Sequence, residues 1–191
     1  MTDAERIARL GVETAGSGAT VMSTFAIWAL DEQLTDVHLE RISSWADLEY
    51  LVACGCPITD TGLTTICRFH RLETLSIGAT KITSNAIVAA DLPTTLTCLG
   101  LYEIQLTDEA AIRSSRLTSI QILNFNDCGL SLDAFHQLVD LPRLRGIEAL
   151  GCPVPDDAAR LISSRKPNTL LRLDSGVWMN GDVKRPPKER P

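Results

Sequence analysis

The sequence predicts an α/β solenoid on three observations. One apolar pattern recurs every 24 residues, the first half of each recurrence alternates apolar with polar positions, and the second half spaces its apolar residues by three. Blocks beginning at residues 24, 48, 72, 96, 120 and 144 open with Thr24, Leu48, Leu72, Leu96, Ile120 and Leu144. Three residues on stand Ile27, Leu51, Leu75, Leu99, Leu123 and Ile147, and ten residues in stand Leu34, Ile58, Ile82, Leu106, Leu130 and Val154. No insertion or deletion breaks this register between residues 24 and 167.

Within a block such as LEYLVACGCPITDTGLTTICRFHR, the opening half reads as a short strand, because alternation places every second side chain on one face. The closing half carries pairs such as Leu39 and Ile42, or Leu63 and Ile66, whose spacing suits one or two helical turns. At the junction stands Thr35, Thr59, Thr83, Thr107 or Ser131, a hydroxyl placed to accept an otherwise unpaired N–H at the helix start. Asp36, Asp60, Asp108 and Asp156 follow in most blocks and put negative charge at the positive helix end.

The resulting pattern, L-x-x-L-x-L-x-x-(C/T)-x-(I/L)-(T/S)-D followed by a helical stretch, resembles the leucine-rich repeat. Its Cys/Thr-x-(I/L)-Thr-Asp signature is similar to the cysteine-containing type found in F-box ubiquitin-ligase receptors and in bacterial repeat proteins, and the unbroken period is closer to the bacterial examples. The resemblance covers residues 24–167, six repeats. It implies a right-handed α/β horseshoe with short parallel strands on the concave face and short helices on the convex face. It also implies that the Cys/Thr row bonds inward to loop backbone of neighbouring coils. No F-box pattern is expected in residues 1–23, which are short and lack its Leu-Pro core.

A solenoid exposes its ends and needs caps. Residues 1–23 read as a helical cap and connector: Thr2 is placed to cap a helix to Leu10 with Glu5 three residues on, and Thr14–Thr20 is a flexible link. Residues 168–180 read as a C-terminal cap in which Leu171 and Leu173 form a last strand and Val177 and Trp178 cover the final apolar layer. Residues 181–191, rich in proline and carrying Lys184, Arg185, Lys188 and Arg190, read as a disordered basic tail.

Composition agrees with this picture and narrows the partners. The chain of 191 residues is 45% hydrophobic but only 5% aromatic, so its core is aliphatic. A net charge of -6 repels phosphate and argues against nucleic acid or an anionic membrane as the main partner. No apolar run reaches the ~18–20 residues of a membrane span, and the charged start MTDAERIARLG is unlike a secretory signal. The expected compartment is therefore the cytoplasm, with all six cysteines reduced.

Residues that resemble catalytic or metal-binding motifs are explained by the repeat. Asp60-Thr61-Gly62 and Asp174-Ser175-Gly176 look like the paired loops of an aspartic protease, whose carboxylates sit about 3 Å apart. Here they are 114 residues apart, nearly five coils of the stack; at ~4.8 Å per strand that is roughly 20 Å. Cys56, Cys128 and Cys152 share one row with Thr80, and no zinc-site spacing accompanies Cys54 and Cys56. His38, His70 and His136 fall in helical halves without an i, i+4 partner. No metal site or cofactor is expected.

If the strands line the concave face, block positions three, five, seven and eight point outward there. Trp28, Tyr50 and Val52, with Leu30 and Cys54, form an apolar patch near the N-terminal end. Tyr102, Glu103, Asn124, Asn126, Asp127 and Glu148 form a polar, acidic zone suited to a basic partner segment. Gly78, Ala79 and Gly100 flatten the sheet between them. The function expected is a non-catalytic, monomeric interaction module or scaffold holding a protein partner on the concave face. The competing readings are a recognition subunit of a ubiquitin-ligase-like complex, a structural protein that self-associates through the apolar patch, and a hydrolase.

Overall fold

The computed structural model describes residues 20–23, 26–30, 34–45 and 47–185. They form one ten-stranded open sheet whose strands lie side by side in chain order: β1 (Thr20–Ser23), β2 (Ala26–Leu30), β3 (Tyr50–Cys54), β4 (Thr74–Ser76), β5 (Cys98–Gly100), β6 (Ile122–Asn124), β7 (Gly146–Glu148), β8 (Leu170–Leu173), β9 (Gly176–Met179) and β10 (Asp182–Arg185). Six helices alternate with the strands: α1 (Asp36–Arg41), α2 (Asp60–Ile66), α3 (Ser84–Ala89), α4 (Asp108–Arg113), α5 (Leu132–Val139) and α6 (Asp156–Arg165).

Strands β2 to β8 are parallel, and every pairing joins residues 24 apart: Ala26 with Tyr50, Tyr50 with Thr74, Thr74 with Cys98, Cys98 with Ile122, Ile122 with Gly146, and Gly146 with Leu170. The apolar period of the sequence is thus the hydrogen-bond register of the sheet. Leu170–Leu173 continues it as a seventh parallel strand, where Leu171 and Leu173 of the cap are expected to form a last strand.

The alternation decides which face is buried. Ile27, Leu51, Leu75, Leu99, Leu123, Ile147 and Leu171 are at most 3% exposed, and the next inward row, Ala29, Ala53, Ile77, Leu101, Phe125, Ala149 and Leu173, is equally buried. Both rows face the helices through Leu39, Leu63, Ile87, Ala111, Phe135 and Ile162. Each buried aliphatic side chain stabilises by about 1.5–3 kcal/mol. Burial is what holds helices of six to ten residues, which are too short to persist alone.

The junction row caps the helices as its residue types require. The hydroxyls of Thr59, Thr83, Thr107 and Ser131 accept from backbone N–H groups of Thr61, Ala86, Ala110 and Ala134. At Thr35 the His38 Nδ1 accepts from the Thr35 N–H at 3.1 Å.

The Asp row does more than complement helix dipoles. Asp36 accepts from the Thr59 N–H at 2.9 Å and the Thr59 hydroxyl at 2.5 Å. Asp60 accepts from the Thr83 N–H at 2.7 Å and hydroxyl at 2.9 Å. Ser84 accepts from the Thr107 N–H at 2.8 Å, and Asp108 from the Ser131 N–H at 3.0 Å. Each carboxylate or hydroxyl therefore staples one coil to the next. The ladder stops where Leu132 replaces the acceptor, and there the following coil presents Pro155, which has no N–H to satisfy. Gly62 makes room for the first rung: a Cβ on it would overlap the Asp36 carboxylate and lie 2.6 Å from Ile58 Cγ2.

The ladder makes stability pH-dependent at its lower end. Hydrogen bonds from the Ser131 hydroxyl and N–H hold the Asp108 carboxyl below its ordinary range. A carboxyl lowered on folding stabilises the fold above its unfolded pKa, about 3.8, and that contribution is lost as pH falls through the lower folded value. Asp108→Asn is therefore expected to flatten the acid limb of a urea-midpoint-versus-pH curve while lowering its plateau. An unchanged acid limb would remove this rung from the account.

Antiparallel strands flank both ends of the parallel sheet. β1 pairs with β2, and β9 and β10 fold back after β8; β1 and β10 each carry a bulge. Short, bulged edge strands blunt the row of unpaired backbone groups that would otherwise recruit another chain. Two boundaries therefore move. Thr20–Ser23, expected as connector, is strand β1, and Asp182–Arg185, expected within a disordered tail, is strand β10, because pairing with β9 gives its backbone partners. The expected N-terminal helix, Thr2 to Leu10, and residues 186–191 lie outside the described residues. Trp178, 1% exposed, pairs with Leu171 and seals the last coil; its Nε1 donates to the Ser175 hydroxyl at 2.9 Å and Arg160 lies over its ring.

Candidate interaction surface

The face of the sheet turned away from the helices carries the residues expected to meet a partner. In-register pairing of β2 with β3 sets Trp28 beside Val52 and Ala26 beside Tyr50. Trp28 is 48% exposed, Tyr50 43% and Leu30 41%, with Val52 and Cys54 half-buried beside them. The apolar patch is contiguous. Ile122 on β6, 48% exposed in the same row as Tyr50, stands apart from it, three strands away across Thr74 and Cys98.

In the middle of the face the small residues have a definite role. A Cβ on Gly78 would lie 2.5 Å from the Tyr102 ring, and a Cβ on Gly100 2.7 Å from the Ser76 hydroxyl. Gly78 is the seat of Tyr102, which is held half-buried on the neighbouring coil. Flattening of the sheet is only half of what these glycines do.

The polar zone divides into residues that are occupied and residues that face out. Asn126 Oδ1 accepts from the Leu150 N–H at 2.8 Å, and its Nδ2 donates to Glu148 at 3.4 Å. Asn124 Oδ1 accepts from the Asn126 N–H at 3.1 Å. Glu148 is ion-paired with Arg172 at 3.0 Å. Asn126 and Glu148 thus stitch the coil of β6 to β7 and β8, Asn124 ties down the turn of its own coil, and Arg172, in the segment expected to cap the stack, belongs to this cluster. Its signal was the seventh recurrence of the strand pattern at Leu171 and Leu173.

Glu103 and Asp127 sit at the same turn of successive coils. That turn is left-handed throughout: φ is 69° at Gly55, 55° at Ala79, 56° at Glu103, 56° at Asp127 and 73° at Gly151. Its N–H groups bond to the next coil, Glu103 to the Asn126 carbonyl and Asp127 to the Leu150 carbonyl; in the last coil the Asp174 carboxylate takes over for Gly151 at 2.9 Å. A non-glycine residue in this region costs about 1 kcal/mol or more. Glu103→Gly is therefore expected to raise stability by roughly 0.5–1 kcal/mol after the extra unfolded-state entropy of glycine is subtracted, read as a higher urea midpoint at unchanged m-value.

The groups that suggested chemistry are engaged elsewhere. Asp60 is a rung of the inter-coil ladder and Asp174 accepts from Gly151, so the two carboxylates do not meet. All six cysteines are free. The Cys128 thiol donates to the Leu101 carbonyl at 3.1 Å and Cys152 to the Phe125 carbonyl at 3.6 Å, each reaching back one coil; burial pushes the Cys128 thiol up to about 12. His38 is neutral-favouring, lowered by burial and then by Arg41, as its acceptor role toward Thr35 requires. Among the described residues no cluster of three or more His, Cys, Asp or Glu could hold a metal ion, and no helix is long and apolar enough to cross a membrane.

No protein-family model and no curated protein matches the sequence. Among solved structures, 90% of the chain aligns with an internalin from Listeria monocytogenes at 17% identity and a TM-score of 0.53, covering 55% of that chain. A chain from an octameric complex of Latrophilin 3, Unc5D and FLRT2, the last contributing a leucine-rich repeat, aligns over 72% of this chain at 19% identity and a TM-score of 0.45, covering 42% of its own length. The chain spans about half the length of the solved chains it matches. The internalin likeness bears on fold alone: the architecture is that of an open α/β leucine-rich-repeat solenoid.

Proposed function

We propose that this leucine-rich-repeat solenoid is a non-catalytic interaction module that holds a protein partner on its concave, helix-free face. The observation that carries the reading is the contiguous exposure of Trp28, Leu30 and Tyr50 on a rigid parallel sheet. Large apolar side chains exposed together on a soluble domain mark interaction sites, and aromatic anchors dominate interface energetics. The repeat fits the cysteine-containing subtype with a 24-residue period, a reading supported by thiols that reach back one coil to backbone carbonyls. Reduced thiols suit a cytoplasmic setting, and the blunted sheet edges suit a monomer.

The test compares affinity capture by the full chain with capture by Trp28→Ala/Tyr50→Ala and by Leu161→Ser, a substitution of an exposed residue on α6. Loss of a partner in the first variant alone, with circular dichroism unchanged in both, is the expected result. Equal retention by all three would move the site off this face.

A further inference from the structure

The turn between β9 and β10, at the far end of the stack, joins a reactive residue pair to a specific restraint. Met179 pairs with Asp182, which leaves Asn180 and Gly181 as a two-residue connection. Both are left-handed, with φ 56° at Asn180 and 80° at Gly181, so the turn is the type I′ that Asn-Gly favours. Position 181 requires glycine twice over, because a Cβ there would also overlap the Ser164 hydroxyl of α6. No other asparagine in the chain is followed by glycine. In such a pair no side chain shields the glycine nitrogen from the asparagine Cγ, and closure of that ring is the route by which asparagine loses ammonia.

The turn presents the two reacting groups unequally. Asn180 is exposed and open to water, whereas Gly181 is buried against α6. The Gly181 N–H donates to the hydroxyl of the buried Ser163 at 3.0 Å. A buried, hydrogen-bonded N–H gives up its proton only through local opening, and this nitrogen must lose its proton before it can attack. We propose that Asn180 is a site of self-modification, kept silent by Ser163 while the turn lies on α6 and converted to isoaspartate or aspartate once the turn lifts. Hydroxide removes the Gly181 proton, the nitrogen bonds to Asn180 Cγ, and the Cγ–Nδ2 bond breaks. Ammonia leaves with a proton supplied by water, which regenerates hydroxide. A second water opens the resulting imide at either carbonyl, so the net change is water in and ammonia out, with nothing oxidised or reduced. Opening on the main-chain side gives isoaspartate, which adds a methylene to the backbone. Met179 and Asp182 then no longer match across a two-residue turn, and Gly181 cannot regain Ser163 in the same register. Loss of ammonia makes the step one-way, so the cap keeps a permanent record of its own opening. This holds whichever face of the sheet meets a partner.

The test incubates the full chain in mildly alkaline buffer, folded and in urea, and follows the peptide spanning residues 179–182 by mass spectrometry. Isoaspartate is scored by a methyltransferase specific for it. The folded chain should react ~100-fold more slowly than the unfolded one. Ser163→Ala, checked as folded by circular dichroism, should react about tenfold faster than the unsubstituted chain for the loss of one buried hydrogen bond. Ser164→Ala, whose hydroxyl serves the Arg160 carbonyl, should keep the original rate. Trp178→Ala, which loosens β9 and its partner Val183, should be faster, and Asn180→Gly, which makes the same turn, should release no ammonia from this peptide. Equal rates folded and in urea, no reaction in urea, or a folded Ser163→Ala that reacts no faster than Ser164→Ala would each overturn the proposal. If Ser163→Ala does not fold, exchange of the Gly181 N–H in the unsubstituted chain decides: its slowing on folding must match that of the reaction, and an unprotected N–H beside a slow reaction would overturn the role of Ser163. Purified isoaspartate-containing chain should exchange its β9 and β10 amides faster than unreacted chain; equal exchange would overturn release of the cap.

Discussion

Trp178→Ala is expected to lower the unfolding free energy by about 3–5 kcal/mol, and to do so unevenly along the chain. Trp178 is the largest fully buried side chain, lying on Leu171 at the end of the apolar stack. Its removal opens a cavity that no further coil can fill, strands the Ser175 hydroxyl without its Nε1 donor, and takes away the ring over which Arg160 lies. In a solenoid each coil is stabilised chiefly by its neighbours, so loss should begin at the C-terminal end. Hydrogen exchange should accelerate first in β8 to β10 and α6, with β3 to β5 retaining protection until the global transition. Trp178→Phe, which keeps the ring volume in part, should cost markedly less. Uniform loss of protection would mean that β9 and β10 are not a cap in the energetic sense.

A second large effect is expected from Asp36→Ala, a loss of about 2–3 kcal/mol. Hydrogen bonds to a charged group contribute roughly 1.5–3 kcal/mol each, and an orphaned buried donor adds its own penalty. Asp36 accepts both the N–H and the hydroxyl of Thr59 in a half-buried setting. Asp60 makes the same pair of bonds to Thr83 but in the open, so Asp60→Ala should cost about half as much. Asp36→Asn keeps an acceptor for the N–H and should fall between. A double-mutant cycle with Thr59→Ala reads the rung directly by urea denaturation. A coupling near zero would show that the carboxylate acts only through the helix end, as its place at the start of α1 first suggests.

The contrast between those two accounts of Asp36 shows what the sequence could and could not disclose. The repeat period, the inward rows and the capping hydroxyls are local properties, and each was legible because alternation and residue type alone define them. Thr59, Thr83, Thr107 and Ser131 cap as their chemistry demands. The rungs were not legible, since a carboxylate's partner 23 residues away depends on coil spacing and not on neighbours in the chain. For the same reason the bond from the Leu150 N–H to the Asn126 amide and the pairing of Arg172 with Glu148, 24 residues away, were not legible. At the edges, Thr20–Ser23 and Asp182–Arg185 lack the leucine pattern, and only pairing with β2 and β9 makes them strands.

The rungs also bear on how such a chain changes length over generations. Each acceptor finds its donor 23 residues on, so an in-frame copy of 24 residues inserted between coils carries one acceptor and one donor of its own. Duplication or loss of a unit between the rungs of Asp36 and Asp108 leaves every remaining bond made. The exempt step is the exception: a copy of the coil that holds Ser131 and Leu132 would set Leu132 against a second Ser131 N–H and leave that donor without its acceptor. Length in this architecture is therefore inherited in whole coils, and the breadth of its helix-free face can grow or shrink by one strand at a time without refolding the rest.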